Sequence, residues 1–370
     1  MPERSKTRVG PSKFELQLDP GLSTGQAIKQ IHLVLLQSMC SNEEGIRTNL
    51  DPEFLHNFRV AIRRTRAALT QIKYIYPDDI TVHIRGEFAW LGQKTGPLRD
   101  LDVFLLRIEY FKTHLPKSMQ QTLDPFYQFL HANQKVEHRR LLHTLESARY
   151  RQLLANWKEI LKTPEILDNT GPNAGRSNRE TGTTPYWKDF QTVLARSSQQ
   201  SMAKRLINIH RPIGDVASER IWRVYRRVYK QGRSITDHTP AEALHRLRIE
   251  CKKLRYFLEF FHSLYKPSEM KRLTRALKRL QDNLGDFNDY EVQQDKLKSF
   301  GADMKQQRLV PVETLMAISH LVDTLRHGQA RERVRFQKCF AEFSKLKNRK
   351  RFRRLFKKWE STLTIKSNRP

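Results

Sequence analysis

The sequence predicts an all-α fold of two pseudo-symmetric helical bundles that come from an internal duplication. One observation is a repeat: residues 56–103 align without a gap on residues 245–292, so that His56 falls on His245. The cations of the first block of this repeat stay cationic in both copies. A second observation is periodicity, because apolar residues recur at intervals of three and four along most of the chain. Alternating apolar and polar runs are too short to require a sheet.

Start and stop signals divide each copy into several helices. One long basic helix is expected to begin after Asp51 and Pro52 and to stop at Pro77. The next helix is expected to end near Gly96 and Pro97. The predicted helices span residues 27–39, 55–76, 82–93, 101–114, 126–161, 187–205, 216–229, 244–265, 271–284, 290–300 and 312–346.

A change of composition near the middle of the chain separates the two copies. Residues 162–186 are rich in Gly, Pro, Asn and Thr and almost lack large apolar residues, which predicts a linker or a mobile loop. The predicted segments are an N-terminal extension (1–22), a first bundle (23–161), the linker (162–186), a second bundle (187–346) and a basic tail (347–370).

The charge of the chain restricts its partners. A formal net charge of +29 over 370 residues favours a polyanion: nucleic acid, an acidic membrane or a phosphate polymer. Three scattered cysteines without metal-finger spacing suit a reducing compartment rather than a disulfide scaffold. With no apparent signal peptide and no apolar run near the ~20 residues of a membrane span, the chain is expected to be cytoplasmic, without a transmembrane segment. The sequence leaves the oligomeric state open.

Helical geometry places four basic side chains of each copy on one face. At 100° per residue, the four project within about 80° of one another along roughly 15 Å of helix. The first stripe is defined as His56, Arg59, Arg63 and Arg66, and the second stripe as His245, Arg248, Lys252 and Arg255. Arg64 and Lys253 lie at the flanks of the stripes. Mostly apolar side chains gather on the opposite faces, at positions 58, 61, 65, 68, 69 and 72 and at positions 247, 254, 257, 258 and 261.

The stripes are interpreted as anion-binding surfaces, with simple solvated helix faces as the alternative. No acidic residue within a stripe is placed to neutralise it by i,i+4 pairing. Arginine predominates in the first stripe and is suited to bidentate phosphate contacts. His56 and His245 could hydrogen-bond a phosphate oxygen, more strongly when protonated, or could be packing or capping residues.

The two copies resemble a known family. The segments HNFRVAIRRTRAAL, GPLRDLDVF, LHRLRIECKKLRYFLEFF and LGDFNDYEV are similar to the paired signatures of the CHAD domain family, the α-helical domain named for its histidines. The resemblance spans roughly residues 23–346 and implies two four-helix bundles around a pseudo-twofold axis, with a basic groove or pore between them. It also implies binding of inorganic polyphosphate, in some members on polyphosphate granules. The contacts it implies are His56, Arg59, Arg63, Arg64, Arg66, His245, Arg248, Lys252, Lys253 and Arg255.

Enzymatic chemistry is not expected. Many members of the family carry an N-terminal CYTH triphosphatase domain with an ExExK strand, but Phe14 to Leu18 offers one acidic residue where that motif needs two. The sequence contains no glycine-rich phosphate loop and no nucleophile motif. The acids around Asp100 and Asp289 are interpreted as helix-start residues rather than Mg²⁺ ligands. We therefore expect a non-enzymatic binding protein without a metal or a cofactor.

Two further polyanion interpretations stay open. The tail at residues 345–359 alternates cations with Phe352, Phe356 and Trp359, which suits a nucleic acid, an anionic membrane surface or a second patch for the same polymer. The rival to polyphosphate is an RNA- or DNA-binding protein that follows the sugar-phosphate backbone. Aromatic stacking platforms, typical of single-strand grooves, are missing from the basic faces of both stripes.

Overall fold

The chain folds into α-helices throughout the part that the structure, a computed structural model, describes: residues 16–162, 199–307 and 310–357. The helices within these ranges are α1 (Thr24–Arg47), α2 (Pro52–Gln71), α3 (Asp78–Lys94), α4 (Gly96–Leu106), α5 (Ile108–Thr113), α6 (Asp124–Glu146), α7 (Ala148–Lys162), α8 (Gln199–His210), α9 (Ile213–Arg233), α10 (Ala241–Phe260), α11 (Pro267–Gln306), α12 (Val312–Phe343) and α13 (Leu346–Phe356).

The predicted all-α class is confirmed, since the described residues form no strand beyond one isolated bridge between Ser23 and Pro212. The contacts divide the chain into two compact units that are not consecutive in sequence. The first unit comprises residues 1–95 and 142–217, and the second comprises residues 96–141 and 218–370. The predicted linker, from residue 163 onward, lies outside the described residues, as do residues 358–370 of the predicted tail.

The first unit is built around α1, α2, α3, α7 and α8. Its centre is the fully buried Trp157, whose indole lies 5.0 Å from the His32 ring and 5.5 Å from the Tyr76 ring. His32 Nδ1 and the Tyr76 hydroxyl are 2.9 Å apart. Burial lowers the pKa of His32 to about 3, against the opposing effect of a backbone hydrogen bond at Thr65. This histidine is therefore a neutral core residue.

The second unit packs α10, α11, α12 and α13 together. Residues of α4, α5 and α6 join α11 and α12 in one apolar cluster, in which the Phe104 ring lies 5.3 Å from Phe300. Thr314, at the start of α12, donates to the backbone oxygen of Thr122, 2.7 Å away. Long helices thus provide a rigid support for the side chains of α10.

One predicted helix break is wrong. Residues 271–284 and 290–300 were expected as separate helices, but α11 runs unbroken through Gly285. In the first copy the corresponding glycine, Gly96, is followed by Pro97, and α3 and α4 are separated at Thr95. Proline lacks the N–H that continues the helical ladder. Asp286 stands at the corresponding position of the second copy and retains that N–H, so the helix continues.

Another boundary was missed. Residues 126–161 were expected as one helix, whereas α6 ends at Glu146 and α7 begins at Ala148. Ser147 separates them: its hydroxyl accepts from the Tyr150 N–H at 3.2 Å and donates to the Thr144 carbonyl at 2.7 Å. Serine hydroxyls satisfy free N–H groups at helix starts in this way. The segment 101–114 is likewise interrupted, at Arg107 between α4 and α5.

Candidate anion-binding site

The predicted amphipathicity of the two basic helices is confirmed. The Asp51 side chain accepts from the Glu53 N–H at 2.7 Å and caps α2, whose first residue is Pro52. All of the positions predicted on the faces opposite the stripes are buried: Phe58, Ala61, Thr65, Ala68, Leu69, Ile72, Leu247, Leu254, Phe257, Leu258 and Phe261. The stripes therefore lie on the faces opposite the cores of their own units.

The first stripe borders a small open pocket between α2 and α3. The pocket encloses about 230 Å³ and is lined by Arg59, Ile62, Arg63, Arg66, Ala89, Gly92 and Gln93. Arg59 Nη1 donates to the Gly92 carbonyl at 2.8 Å and to the Thr95 hydroxyl at 2.7 Å. These two bonds fix one guanidinium at the edge of the pocket. The lining contains three arginines and no carboxylate.

Small side chains on α3 make this space. A Cβ atom placed on Gly92 would lie 3.7 Å from Arg66 Nη1, in ordinary contact. Ala89, one turn earlier on α3, also has a small side chain and lines the same pocket. Of the predicted contact residues in α2, Arg66 is exposed, whereas His56, Arg59 and Arg63 are half-buried. Arg64 is 8% exposed, so it must move before it can reach a ligand.

The second stripe is different, because carboxylates pair with its cations. Arg255 Nε lies 2.6 Å from Glu259, an i,i+4 pair on α10, and Arg248 lies 3.4 Å from Asp289 on α11. We expected no acid to neutralise either stripe through i,i+4 pairing, and this expectation is wrong for the second copy. Burial opposes the charge of Arg255, but the Glu259 hydrogen bond and the negative charges around the guanidinium together outweigh burial, so the pKa of Arg255 is raised. The position of Glu259 corresponds to Thr70 in the first copy.

The flank of the second stripe is neutralised as well. Glu250 accepts from Lys253 Nζ at 2.6 Å and from Arg227 Nε of α9 at 2.8 Å. Its side chain is almost buried, so it is held close to both cations. Lys253, one of the predicted contacts, is therefore already engaged.

Three substitutions alter the pocket positions in the second copy. Gln281 stands at the position of Gly92, and its amide donates to the Cys251 carbonyl at 2.8 Å. Lys278 and Asp282 replace Ala89 and Gln93 and form an ion pair at 2.6 Å. Both a larger side chain and an acid thus occupy positions that line the pocket of the first copy.

The histidine of the second stripe is held by an amide. His245 Nδ1 lies 2.7 Å from Asn288 Oδ1. An amide oxygen only accepts, so in this orientation of the Asn288 amide His245 Nδ1 is the donor, and Nε2 donates to a ligand when the ring is protonated. His245 is exposed and can therefore contact a phosphate favourably as an imidazolium.

Comparison with known proteins identifies the fold. The family model of the CHAD domain matches residues 31–298, which is most of the chain. The chain belongs to the CHAD domain family. Its structure is similar to the crystal structure of the CHAD domain from the plant Ricinus communis, with a TM-score of 0.64 and 21% identity over 90% of this chain and 96% of that one.

A second similar structure is PptA from Streptomyces chartreusis, with a TM-score of 0.51 and 15% identity over 86% of this chain and 99% of that one. No curated protein gave a significant match. The family resemblance expected from the repeated motifs is therefore confirmed, and the two solved structures support the helical fold.

The acids around Asp100 and Asp289 of this CHAD chain were expected to be helix-start residues, and this expectation is wrong. Asp289 lies within α11, and Asp102 lies within α4, where it accepts from the Gln134 amide at 3.3 Å. Burial raises the pKa of Asp102, against that hydrogen bond. Asp100 pairs with Lys296 at 3.1 Å. The described residues contain no group of three or more His, Cys, Asp or Glu side chains arranged around a metal position.

The basic tail of this CHAD chain is partly a helix with a buried face. Helix α13 covers residues 346–356, and its Phe352 ring stacks on Tyr225 at 3.9 Å. Phe352 and Phe356 are fully buried, whereas Trp359 lies outside the described residues. None of the helices in the described ranges is long and apolar enough to cross a membrane.

Proposed function

We propose that this CHAD domain protein binds inorganic polyphosphate and does so without catalysing a reaction. The observation that carries the proposal is the pocket of the first stripe, with Arg59, Arg63 and Arg66 in its lining and no carboxylate among them. Guanidinium groups form paired hydrogen bonds with tetrahedral oxyanions. An anionic polymer gains further binding free energy as these cations release its counterions.

The pre-ordering of the arginines supports this function. Arg59 is already fixed by its bonds to α3, and Arg63 projects from a helix with a buried opposite face. Side chains that are ordered before binding lose less conformational entropy when the ligand arrives. The pocket therefore provides a preformed site for one or two phosphate groups of a longer chain.

The two stripes are proposed to contribute unequally. In the first stripe, Arg63 and Arg66 meet an incoming phosphate without displacing a carboxylate of the pocket lining. In the second, Arg255 must exchange its contact with Glu259 for one with the ligand. Exchange of one ion pair for another gains little net free energy at an exposed site. The first stripe is thus the primary site, and the second is an auxiliary one.

The composition of the pocket lining also favours binding over catalysis. Its polar members, three arginines and Gln93, include no nucleophile and no general base for phosphoryl transfer. The proposed cellular role is cytoplasmic, with recruitment to polyphosphate granules. Nucleic-acid backbone binding is the rival function, but the lining of this pocket offers no aromatic surface on which a base could stack.

A competition assay tests the proposal. Labelled long-chain polyphosphate bound to the full chain is competed with unlabelled polyphosphate and with RNA of equal total charge, at one salt concentration. We expect unlabelled polyphosphate to compete more strongly than RNA. The variant Arg63→Glu with Arg66→Glu should abolish this difference between the two competitors, because the first stripe is the proposed site. A clear preference for RNA that depends on these two arginines would overturn the proposal.

A further inference from the structure

A second basic surface of the second unit is separate from the stripes. Helices α9 and α13 form the two walls of a groove of about 970 Å³. The lining consists of Trp222, Arg223, Tyr225, Arg226, Arg227, Tyr229, Lys230, Leu346, Arg349, Lys350, Arg353 and Lys357. Eight of these side chains are cationic and none is acidic. Charge of one sign on both walls favours an anionic occupant.

Part of this charge is available to a ligand. Glu219 pairs with Arg223 at 2.8 Å, and Glu250 pairs with Arg227, both from outside the lining. In the described ranges, no carboxylate lies within ion-pair distance of the four exposed or half-exposed cations that complete the two walls: Arg226, Lys230, Lys350 and Arg353. Two of them stand on α9 and two on α13, so an extended anion can touch both helices.

Aromatic rings interrupt the cations of α9. Trp222 and Tyr229 are half-buried and line the groove, and Arg349 of α13 lies over the Tyr229 ring at 5.1 Å. The Trp222 ring lies 5.5 Å from Tyr225, which is itself stacked on Phe352. These rings are therefore held in place by the packing that joins α13 to α9.

The same packing argues against a membrane partner for α13. The phenylalanines that would insert into a bilayer, Phe352 and Phe356, are already fully buried in the second unit. The remaining occupant is a flexible polyanion that carries groups able to stack.

We propose that the groove between α9 and α13 binds single-stranded nucleic acid. Cations that follow the backbone, with aromatic rings for the bases, are the combination that sequence-tolerant single-strand sites use. From Trp222 to Lys230 the wall is about 12 Å long at 1.5 Å per residue, enough for about three stacked nucleotides at about 3.4 Å each. Polyphosphate has no bases that could stack on the rings of Trp222 and Tyr229.

Comparison of strands with and without bases tests the proposal directly. Fluorescence anisotropy is measured on the full chain with a labelled 12-nucleotide oligothymidine and with an abasic strand of the same length and charge. We expect the base-bearing strand to bind about tenfold more tightly or better, the effect of stacking at least one base. Equal affinities for the two strands would overturn the proposal.

Paired variants locate the site. Arg226→Glu with Arg353→Glu is compared with Lys271→Glu and Lys305→Glu, two exposed cations of the same unit outside the groove, for the same change of net charge. We expect the groove variant to lose about tenfold or more in oligothymidine affinity relative to its control. Equal losses in the two variants would overturn the assignment to the groove.

Aromatic substitution and a polyphosphate arm complete the test. Trp222→Leu with Tyr229→Leu should bring the base-bearing and abasic affinities within about threefold of each other, since base stacking is lost while the cations of the groove remain. If circular dichroism shows that this variant does not fold, the two-strand comparison on the unsubstituted chain decides alone. Polyphosphate affinity should respond to the first stripe and not to the groove variant. A groove variant that loses polyphosphate while it keeps oligothymidine would show a second polyphosphate site and overturn the proposal.

Discussion

Reversal of equivalent charges in the two copies should have unequal effects on polyphosphate binding. Arg63→Glu with Arg66→Glu changes the first stripe, and Lys252→Glu with Arg255→Glu makes the equivalent change in the second. The net charge changes by the same amount in both variants. Only the second pair includes a cation that a carboxylate of its own helix already neutralises, through Glu259 at 2.6 Å.

The magnitude follows from the contacts each variant removes. A hydrogen bond between a charged side chain and an oxyanion contributes about 1.5–3 kcal/mol, and the lower end applies to exposed groups. Loss of two such contacts in the first stripe is therefore about 3 kcal/mol, or roughly 150-fold in Kd. In the second stripe, Arg255 contributes only the difference between its bond to the ligand and its bond to Glu259. Lys252 still contributes about 1.5 kcal/mol, so we expect a loss of about 1.5 kcal/mol there, or roughly 13-fold in Kd.

Isothermal titration of long-chain polyphosphate into the full-length variants measures both losses at one salt concentration. Circular dichroism and the denaturation midpoint provide the control, because substitutions on faces opposite the core should change stability by less than about 1 kcal/mol. Equal losses in the two folded variants would refute the reasoning, since the carboxylates of the second copy would then have no effect on its affinity.

Three other perturbations have defined outcomes. A plot of the logarithm of the polyphosphate binding constant against the logarithm of the salt concentration should have a slope of about −4 if roughly six phosphates are engaged. The first-stripe variant should reduce the magnitude of that slope by about 1.4. Burial lowers the pKa of His32 to about 3, so between about pH 6.5 and 5 only the unfolded chain takes up a proton at this residue. The free energy of unfolding should therefore fall as the pH falls through this range, with a slope that approaches about 1.4 kcal/mol per pH unit near pH 5. His32→Gln should remove this component of the slope in denaturant titrations. Gly45→Ala places a Cβ 2.2 Å from the Phe54 ring and should destabilise the fold by about 1–3 kcal/mol, whereas Gly86→Ala in α3 meets no atom within 4 Å and should be neutral or stabilising; the reverse order of thermal midpoints would contradict the packing.

Local sequence patterns were sufficient to predict the buried and the basic faces of α2 and α10. Their buried and basic sides follow from spacing alone, because helical geometry fixes which residues share a face. The Arg255–Glu259 pair is also visible in the sequence, because its i,i+4 spacing brings an acid from outside the stripe next to Arg255. The family resemblance came from the same motifs and is confirmed.

Tertiary contacts determine the features of the site that sequence patterns could not predict. Glu250 neutralises Lys253 together with Arg227, which is 23 residues earlier in the chain. The fixed Arg59 depends on a carbonyl of α3. The groove of α9 was missed because Trp222 and Tyr229 are remote in sequence from the tail that supplies its other wall. The assignment of the ten predicted contact residues to polyphosphate stays a prediction.

The unbroken α11 restricts how the second copy can change in length. One added residue turns every later side chain of a helix by about 100°. An insertion near Gly285 would therefore move Asn288 and Asp289 away from His245 and Arg248. In the first copy, the turn at Thr95 lies at the corresponding place and can absorb an added residue without a change of helical phase. Length variation among related chains should accordingly concentrate at that turn and be rare within residues 267–306.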